Sequence, residues 1–278
     1  MLSSLVVKDL VARALKEDLG AGDLTTQAVV PPGKRGRGEI LAREQGVIAG
    51  LPLAEAVFLE LDPTLQFHPQ VEEGAELAPG KVVARVEGSL ASILSAERTA
   101  LNFLQHLSGI ATQARLWVRE ISDYPARLVD TRKTTPTLRL LEKYAVRVGG
   151  ASNHRLGLDG GILIKENHIR AAGGIAAAVE AARRKAPFTL RIEVEVTNLQ
   201  ELEEALAAGA DLIMLDNMDL DLMRRAVEIT AGRVPLEASG NITFSRLREV
   251  AATGVDYISC GALTHSSRSL DLSLLLVQ

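Results

Sequence analysis

The stretch LRIEVEVTNLQELEEALAAGADLIMLDNMD, residues 190–219, decides the fold. It opens on a short β-type run, Leu190–Val196, and closes on a second, Asp211–Leu215, that ends in Asp216. Between them Asn198–Ala208 repeats apolar residues at helical spacing. That segment starts on a capping-type Asn and carries acids in its first turn, where they favour the positive end of a helix. Strand, helix and strand in quick succession is the unit from which a parallel sheet is built.

The same alternation extends in both directions. Short β-type runs recur at Arg127–Asp130, Gly161–Ile164, Val234–Glu237 and Asp256–Ser259, and a second capped helix is predicted over Asp219–Ile229. With a seventh unit expected around Val146–Gly150, this is too many strands for a small open sheet and nearly enough for a barrel. A doubly wound sheet would show an early G-x-G-x-x-G turn between strand and helix, and the sequence has none. Before residue 110 the pattern differs: strands are predicted over Arg37–Ala42, Gly46–Ala49, Leu65–Val71 and Lys81–Glu87, with a helix over Pro52–Leu61. The turn-rich segment VEEGAELAPGKVVARVEG (71–88) is similar to a lipoyl-type hairpin, but Lys81 follows a glycine instead of sitting at a hairpin tip, so its role is structural. A long helix over Ser89–Glu120 joins the parts. The expectation is an N-terminal domain over 1–110, on which 270–278 is able to pack, and an α/β barrel over 111–269.

Composition narrows the function. The chain has 278 residues, 47% of them hydrophobic, enough for a large core. Its net charge of −4 offers no general attraction to nucleic acid or to an anionic membrane. No run of apolar residues is long enough to span a bilayer, and the first residues lack the apolar core of a signal peptide. A single cysteine excludes an internal disulfide framework and a cysteine-built zinc site, which suits a reducing cytoplasm. Cys260 reads as a buried strand thiol, and His68, His106 and His265 as structural or surface groups. His168 is placed either to orient Lys165 or Glu166 or to pack.

In α/β barrels the chemistry sits where strands end. Here the first run ends in Arg132 and Lys133, the next loop carries His154 and Arg155, and ILIKENH ends in Lys165. Cations at the ends of buried strands are costly without partners, and an anionic substrate is a natural one. Internal ion pairs are the alternative. The next strands end in acids: Glu193 and Glu195 share one face by the two-residue period of a strand, and Asp216 closes DLIMLD. Carboxylates on neighbouring strands suit Mg²⁺ with substrate oxygens, or ribose hydroxyls. The last two strands end in Ser239-Gly240-Asn241 and Gly261-Ala262, the place where such barrels build phosphate sites from backbone amides. Cations, acids and a phosphate cradle in that order point to a sugar phosphate with Mg²⁺ beside an acidic co-substrate. A Schiff-base aldolase using Lys165 and a non-catalytic metabolite sensor are the competing readings.

The runs EDLGAGDLTT (17–26), ERTALNFLQHLSGIAT (97–112), DTRKTTP (130–136), NHRLGL (153–158), LIKENHI (163–169), EVEV (193–196), MLDNM (214–218), EASGNIT (237–243) and CGALTHS (260–266) resemble those of the quinolinate phosphoribosyltransferases, in that family's order and over nearly the whole chain. The resemblance implies an N-terminal α/β sandwich plus an incomplete, about seven-stranded α/β barrel of the type II phosphoribosyltransferases. It implies decarboxylating transfer of phosphoribosyl from phosphoribosyl pyrophosphate to quinolinate, within NAD biosynthesis and with Mg²⁺. The assembly it implies is a homodimer or a hexamer of dimers with shared active sites. By the matching motifs Arg98 enters the partner's site, while Arg132, Lys133, His154, Arg155 and Lys165 hold quinolinate, with Thr131 and Cys260 also in the substrate-binding set. Glu195 and Asp216 take the ribose hydroxyls and Mg²⁺, and Ser239, Gly240, Asn241, Gly261 and Ala262 take the 5′-phosphate. Lys133, Lys165, Glu195 and Asp216 form the catalytic set. A nicotinate-type relative would need fewer cations. Thr137, where many relatives carry glycine, and Ala151-Ser152 depart from the family pattern.

Overall fold

The computed structural model describes residues 4–277. In chain order its elements begin with α1 (Ser4–Leu19), α2 (Leu24–Val29), β1 (Arg35–Ala42), β2 (Gly46–Val47), α3 (Leu51–Leu61), β3 (Gln66–Pro69), β4 (Glu76–Leu77), β5 (Val82–Ser89) and α4 (Leu90–Glu120). There follow β6 (Arg127–Val129), α5 (Arg139–Val148), β7 (Ile162–Ile164), α6 (Glu166–Ala172), α7 (Ile175–Lys185), β8 (Ile192–Val196), α8 (Leu199–Ala207) and β9 (Leu212–Asp216). The chain ends with α9 (Leu220–Thr230), β10 (Leu236–Ser239), α10 (Leu247–Ala251), β11 (Tyr257–Ser259), α11 (Ala262–His265) and β12 (Leu272–Val277). No helix among the described residues is long and apolar enough to cross a membrane.

The chain packs as two compact units. One holds the chain up to Arg115, Leu140–Gly150 and the segment from Ser267 onward; the other holds Leu116–Arg139 and Ala151–Ser266. In the first unit an antiparallel sheet runs in the order β12-β1-β5-β3, so the last strand pairs with the first, Arg37 opposite Val277 and Ala42 opposite Leu272. Helix α5 lies between β6 and β7 in sequence, yet it belongs to this unit. Its buried Glu142 accepts a hydrogen bond from His106 Nε2 at 2.9 Å, which gives that histidine its structural role.

Helix α4 carries Gly109 for a steric reason. A Cβ there would run into the carbonyl oxygen of Arg268, with the Arg268 carbonyl carbon at 2.9 Å and Ser269 Cα at 3.0 Å. Helix propensity alone would make Gly109→Ala stabilising by about 1 kcal/mol. The obstacle is backbone, which cannot swing aside, and overpacking of this kind costs roughly 1–3 kcal/mol or more. The expected result is net destabilisation, read as a lower urea midpoint with an unchanged slope.

The second unit is built on six parallel strands in the order β6-β11-β10-β9-β8-β7. The sequence runs expected to be strands all are, within two residues at either end. Asn198 and Asp219 cap α8 and α9 as expected, accepting from the amides of Glu201 at 2.9 Å and Leu222 at 2.8 Å. The seventh strand expected around Val146–Gly150 is not one: residues up to Val148 finish α5, and a single bridge from Ser152 to Val129 extends the β6 edge instead. Gly150, at φ 101, ends the helix and turns the chain toward that bridge.

Strand β8 shows how the barrel is filled. Ile192, Val194 and Val196 are fully buried on one face, while Glu193 and Glu195 alternate with them on the other. Burying each branched side chain contributes about 1.5–3 kcal/mol. The opposite face turns to the barrel interior, where acids replace the branched apolar residues usual in such barrels.

Candidate active site

The C-terminal ends of all six strands converge on one cavity of ≈ 790 Å³. Every sequence-predicted site residue lines it except Arg98 and Glu193: Thr131, Arg132 and Lys133 after β6, His154 and Arg155, Lys165 after β7, Glu195 on β8, Asp216 on β9, Ser239, Gly240 and Asn241 from β10, and Cys260, Gly261 and Ala262 after β11. Arg98 lies in the other unit, exposed on α4. Residues the sequence reading did not assign to the site also line it, among them Met214, Asn217, Glu237, Ile242, Thr243 and Ser259. His265, read as a structural or surface group, lines it too.

The cationic side is held by the backbone beneath it. Asp130, fully buried, accepts from Asn153 Nδ2 at 2.6 Å and from the amide of His154 at 2.9 Å, which pins the NHR loop to the end of β6. Arg155 Nη1 donates to the Gly161 carbonyl at 2.9 Å. The Thr131 hydroxyl accepts from the Lys133 amide at 3.0 Å, and the Lys133 carbonyl accepts from Thr264 Oγ1 at 2.8 Å. Among the described residues Arg132, Lys133 and Arg155 form no ion pair with a carboxylate, so internal pairing does not account for them. Burial, and then the like charge of Arg132, pulls Arg155 below the usual arginine range, a strain that a bound anion relieves. Thr137, in the loop beyond, sits at φ 70, the left-handed region that β-branched residues avoid and glycine favours.

Lys165 differs from the other cations: it is paired with Glu195. His168 accepts the Lys165 amide on Nδ1 at 2.9 Å, so it orients the start of α6 and, through it, the lysine backbone. The acids of β8 and β9 line the cavity, and Asp216 Oδ2 accepts from Asn217 Nδ2 at 2.8 Å. Asn217 is a residue the sequence reading passed over. At φ 53 it turns sharply out of β9, and its side chain accepts from Asn241 Nδ2 at 3.1 Å, tying the loop after β9 to the loop after β10. An Asn directly after a strand-ending acid was the available signal, since Asn tolerates the left-handed region.

The small residues close the circle. Gly240, at φ 93, packs so tightly on Asn217 that a Cβ would stand 2.8 Å from the Asn217 amide nitrogen and closer still to its side chain. Gly240→Ala is therefore expected to move the Ser239–Asn241 loop: left-handed strain of about 1–2 kcal/mol adds to the clash. The KM for a phosphate-bearing substrate should rise tenfold or more with little change for a second substrate, and equal changes in both would argue against a phosphate role. Cys260 is buried, and burial first, then the charge of Glu237, pushes its thiol up to about 12, so it is no nucleophile.

Beneath these groups His154, Glu193 and Glu237 meet. His154 Nε2 lies 3.2 Å from Glu193 Oε2 and 3.5 Å from Glu237 Oε2. The cluster has the spacing of a metal site, each residue offering one ligand atom within 4.8 Å of the others. Its hydrogen bonding argues otherwise. The Arg155 amide donates to Nδ1 at 2.7 Å, so Nδ1 is unprotonated, the ring proton sits on Nε2, and that nitrogen is a donor to the carboxylates and not a ligand. For the same reason neither ring nitrogen is left to grip a substrate carboxylate, so the quinolinate-holding role expected of His154 would have to come from ring contact or from placing Arg155. Were Glu193 and Glu237 both ionised, their repulsion would reach about 3–4 kcal/mol at an effective dielectric of ~20.

These features define an α/β-barrel enzyme class whose cavity is lined by cations, carboxylates and a glycine-bearing loop. The family models named quinolinate phosphoribosyl transferase, C-terminal domain and N-terminal domain, match residues 110–275 and 23–108. The chain belongs to the quinolinate phosphoribosyl transferase family. It is 48% identical over 277 residues to a Synechocystis sp. protein described as a probable nicotinate-nucleotide pyrophosphorylase (carboxylating), covering 99% of this chain and 94% of that one. It is 45% identical to the nicotinate-nucleotide pyrophosphorylase (carboxylating) of Mycobacterium leprae, over 96% of each chain. The solved structure of the nicotinate-nucleotide pyrophosphorylase from Francisella tularensis superposes with a TM-score of 0.96 at 43% identity, covering 100% of this chain and 98% of that one.

Proposed function

We propose that the protein joins quinolinate to phosphoribosyl pyrophosphate and releases CO₂ and pyrophosphate, forming nicotinate mononucleotide for NAD biosynthesis in the cytoplasm. The observation that carries this reading is the set of Arg132, Lys133 and Arg155, three cations without carboxylate partners among the described residues, which line the same cavity as the glycine-bearing loop Ser239-Gly240-Asn241. A pyridine bearing two carboxylates supplies the missing counter-charge, and the names of the relatives point to the same chemistry.

The pyridine nitrogen attacks the anomeric carbon as the bond to pyrophosphate breaks. The ring nitrogen then carries positive charge, so the electron pair left when the adjacent carboxylate departs as CO₂ is stabilised next to it, until a proton takes its place. What the protein supplies is alignment and charge in a confined site. Arg132, Lys133 and Arg155 orient the dicarboxylate; Ser239, Gly240, Asn241, Gly261 and Ala262 seat the 5′-phosphate; Glu195 and Asp216 face the ribose hydroxyls. Those two carboxylates are hard oxygen donors beside the place for a pyrophosphate, a set that fits Mg²⁺, which would offset charge on the leaving group. Lys165, held by Glu195, would be freed for the substrate by a ribose hydroxyl engaging that acid. The same commitment to Glu195 disfavours the aldolase reading.

Arg98, exposed on α4 in the other unit, supports an assembly in which a second copy receives it, with a homodimer as the smallest such unit. The decisive test is incubation with quinolinate, phosphoribosyl pyrophosphate and Mg²⁺. Equal amounts of CO₂ and nicotinate mononucleotide are expected; product from nicotinate without CO₂, or binding without turnover, would overturn the reading.

A further inference from the structure

Glu237 takes no part in the reaction just described, yet it lines the cavity while its residue is only 2% exposed, so it is part of the floor. Directly beneath, its Oε2 shares with Glu193 Oε2 the one proton that His154 Nε2 can donate. The remaining oxygen of each acid, Oε1, is buried without a hydrogen-bond partner. Two carboxylates, one neutral imidazole and orphaned oxygens leave the floor short of a proton, and it lies beneath a site for anions.

We infer that Glu237 is held as a neutral carboxylic acid, and that this proton makes it a specificity-determining residue, limiting the floor to the single negative charge of Glu193 so that a dianionic acceptor can settle on it. The identity of the acceptor rests on the function proposed above; the protonation itself does not. The groups facing Glu237 are few. Glu193 comes from β8, His154 from the loop after the Ser152 bridge, Ser259 and Cys260 from the end of β11, and Lys165 from the end of β7. Burial first, and the charge of Glu193 next, push the Glu237 carboxyl up to about 7, with His154, Ser259 and Lys165 opposing. The opposition from His154 requires a charged ring, and the Arg155 amide on Nδ1 argues for the neutral one.

The sign of the effect follows. Below about 7 the acid is neutral and the dianion binds; as pH rises through 7 the proton is lost, the floor carries a second negative charge beside that of Glu193, and affinity falls by about tenfold per pH unit. Lys165 carries Glu195 and not Glu237, so it is not a substitute counter-ion in the ligand-free protein.

The experiment has two readouts on the full chain. Infrared difference spectra of the ligand-free protein are expected to show a protonated carboxylic acid band that fades as pH is raised through about 7. The band should be missing in Glu237→Gln and should fade at lower pH in Glu193→Gln, which removes the charge that sustains it. Direct titration with quinolinate alone is expected to weaken at least tenfold between pH 6 and pH 8.5 in the parent and to stay flat within about twofold in Glu237→Gln. Absence of the band, or a band and a pH profile that survive Glu237→Gln, overturns the inference. A purely structural role would lower stability in Glu237→Gln without flattening the profile. A titrating band in a protein that does not turn quinolinate over would sink the proposed function and leave the protonated floor standing. Turnover with a pH-flat quinolinate affinity and no band does the reverse.

Discussion

Arg155→Ala is expected to lower kcat/KM for quinolinate by about 10²–10³, almost all of it as a higher KM. Removing one partner of a buried charge pair costs about 2–5 kcal/mol, and each 1.36 kcal/mol is tenfold. Arg155 belongs at that end of the range because it is half-buried, has no carboxylate partner in the ligand-free protein, and is held below its usual range by burial and by Arg132. The fold should survive. What the structure loses is one hydrogen bond to the Gly161 carbonyl, about 1 kcal/mol against a typical stability of about 5–15 kcal/mol. Arg155→Lys restores charge without the planar fork and should recover only part of the loss. Steady-state kinetics with quinolinate varied at saturating phosphoribosyl pyrophosphate, paired with a thermal melt, separates the two effects. An unchanged quinolinate KM in a folded Arg155→Ala protein would remove this residue from the acceptor site.

Asp216→Ala is expected to act on turnover. Its carboxylate ends β9 opposite Ser239, beside the loop assigned to the phosphate, and it is oriented by Asn217. Loss of a group that stabilises charge in the transition state typically costs 10²–10³ in kcat. The loss here should come with a rightward shift of the Mg²⁺ dependence and weaker Mn²⁺ binding by electron paramagnetic resonance in the presence of phosphoribosyl pyrophosphate. A reduced kcat with an unchanged metal response would give Asp216 to the ribose hydroxyls alone. Asn217→Ala makes an informative companion, since it keeps the carboxylate but removes the side chain that accepts from Asn241 and donates to Asp216.

Much of this was open to reading because the forces involved are local. The two-residue period of IEVEV separates Ile192, Val194 and Val196 from Glu193 and Glu195 whatever the strand packs against. Asn198 and Asp219 cap their helices by bonding amides three residues on. Polar or small residues after apolar runs mark strand ends, which is why Arg132, Lys165, Asp216 and Gly240 could all be picked out.

Other features were misread or missed for a physical reason. The segment before Gly150 is apolar enough for a strand, but it forms the end of an amphipathic helix that packs with the first unit, a choice settled by neighbours distant in sequence. Glu237 sits in an apolar run and looked like a strand residue with no assigned task. Nothing within several residues of it reveals that it meets Glu193.

What the sequence by itself determined is the list of strands and helices, their parallel arrangement and the residues at the strand ends, since periodicity, capping and turn chemistry act over a few residues. The tertiary structure decided that β12 joins β1, that α5 leaves the barrel unit, and that His154, Glu193 and Glu237 share one buried proton-poor layer. Those outcomes depend on the curvature that brings side chains of alternate strands into one interior layer, and on the desolvation that follows, neither of which any short stretch of the chain encodes.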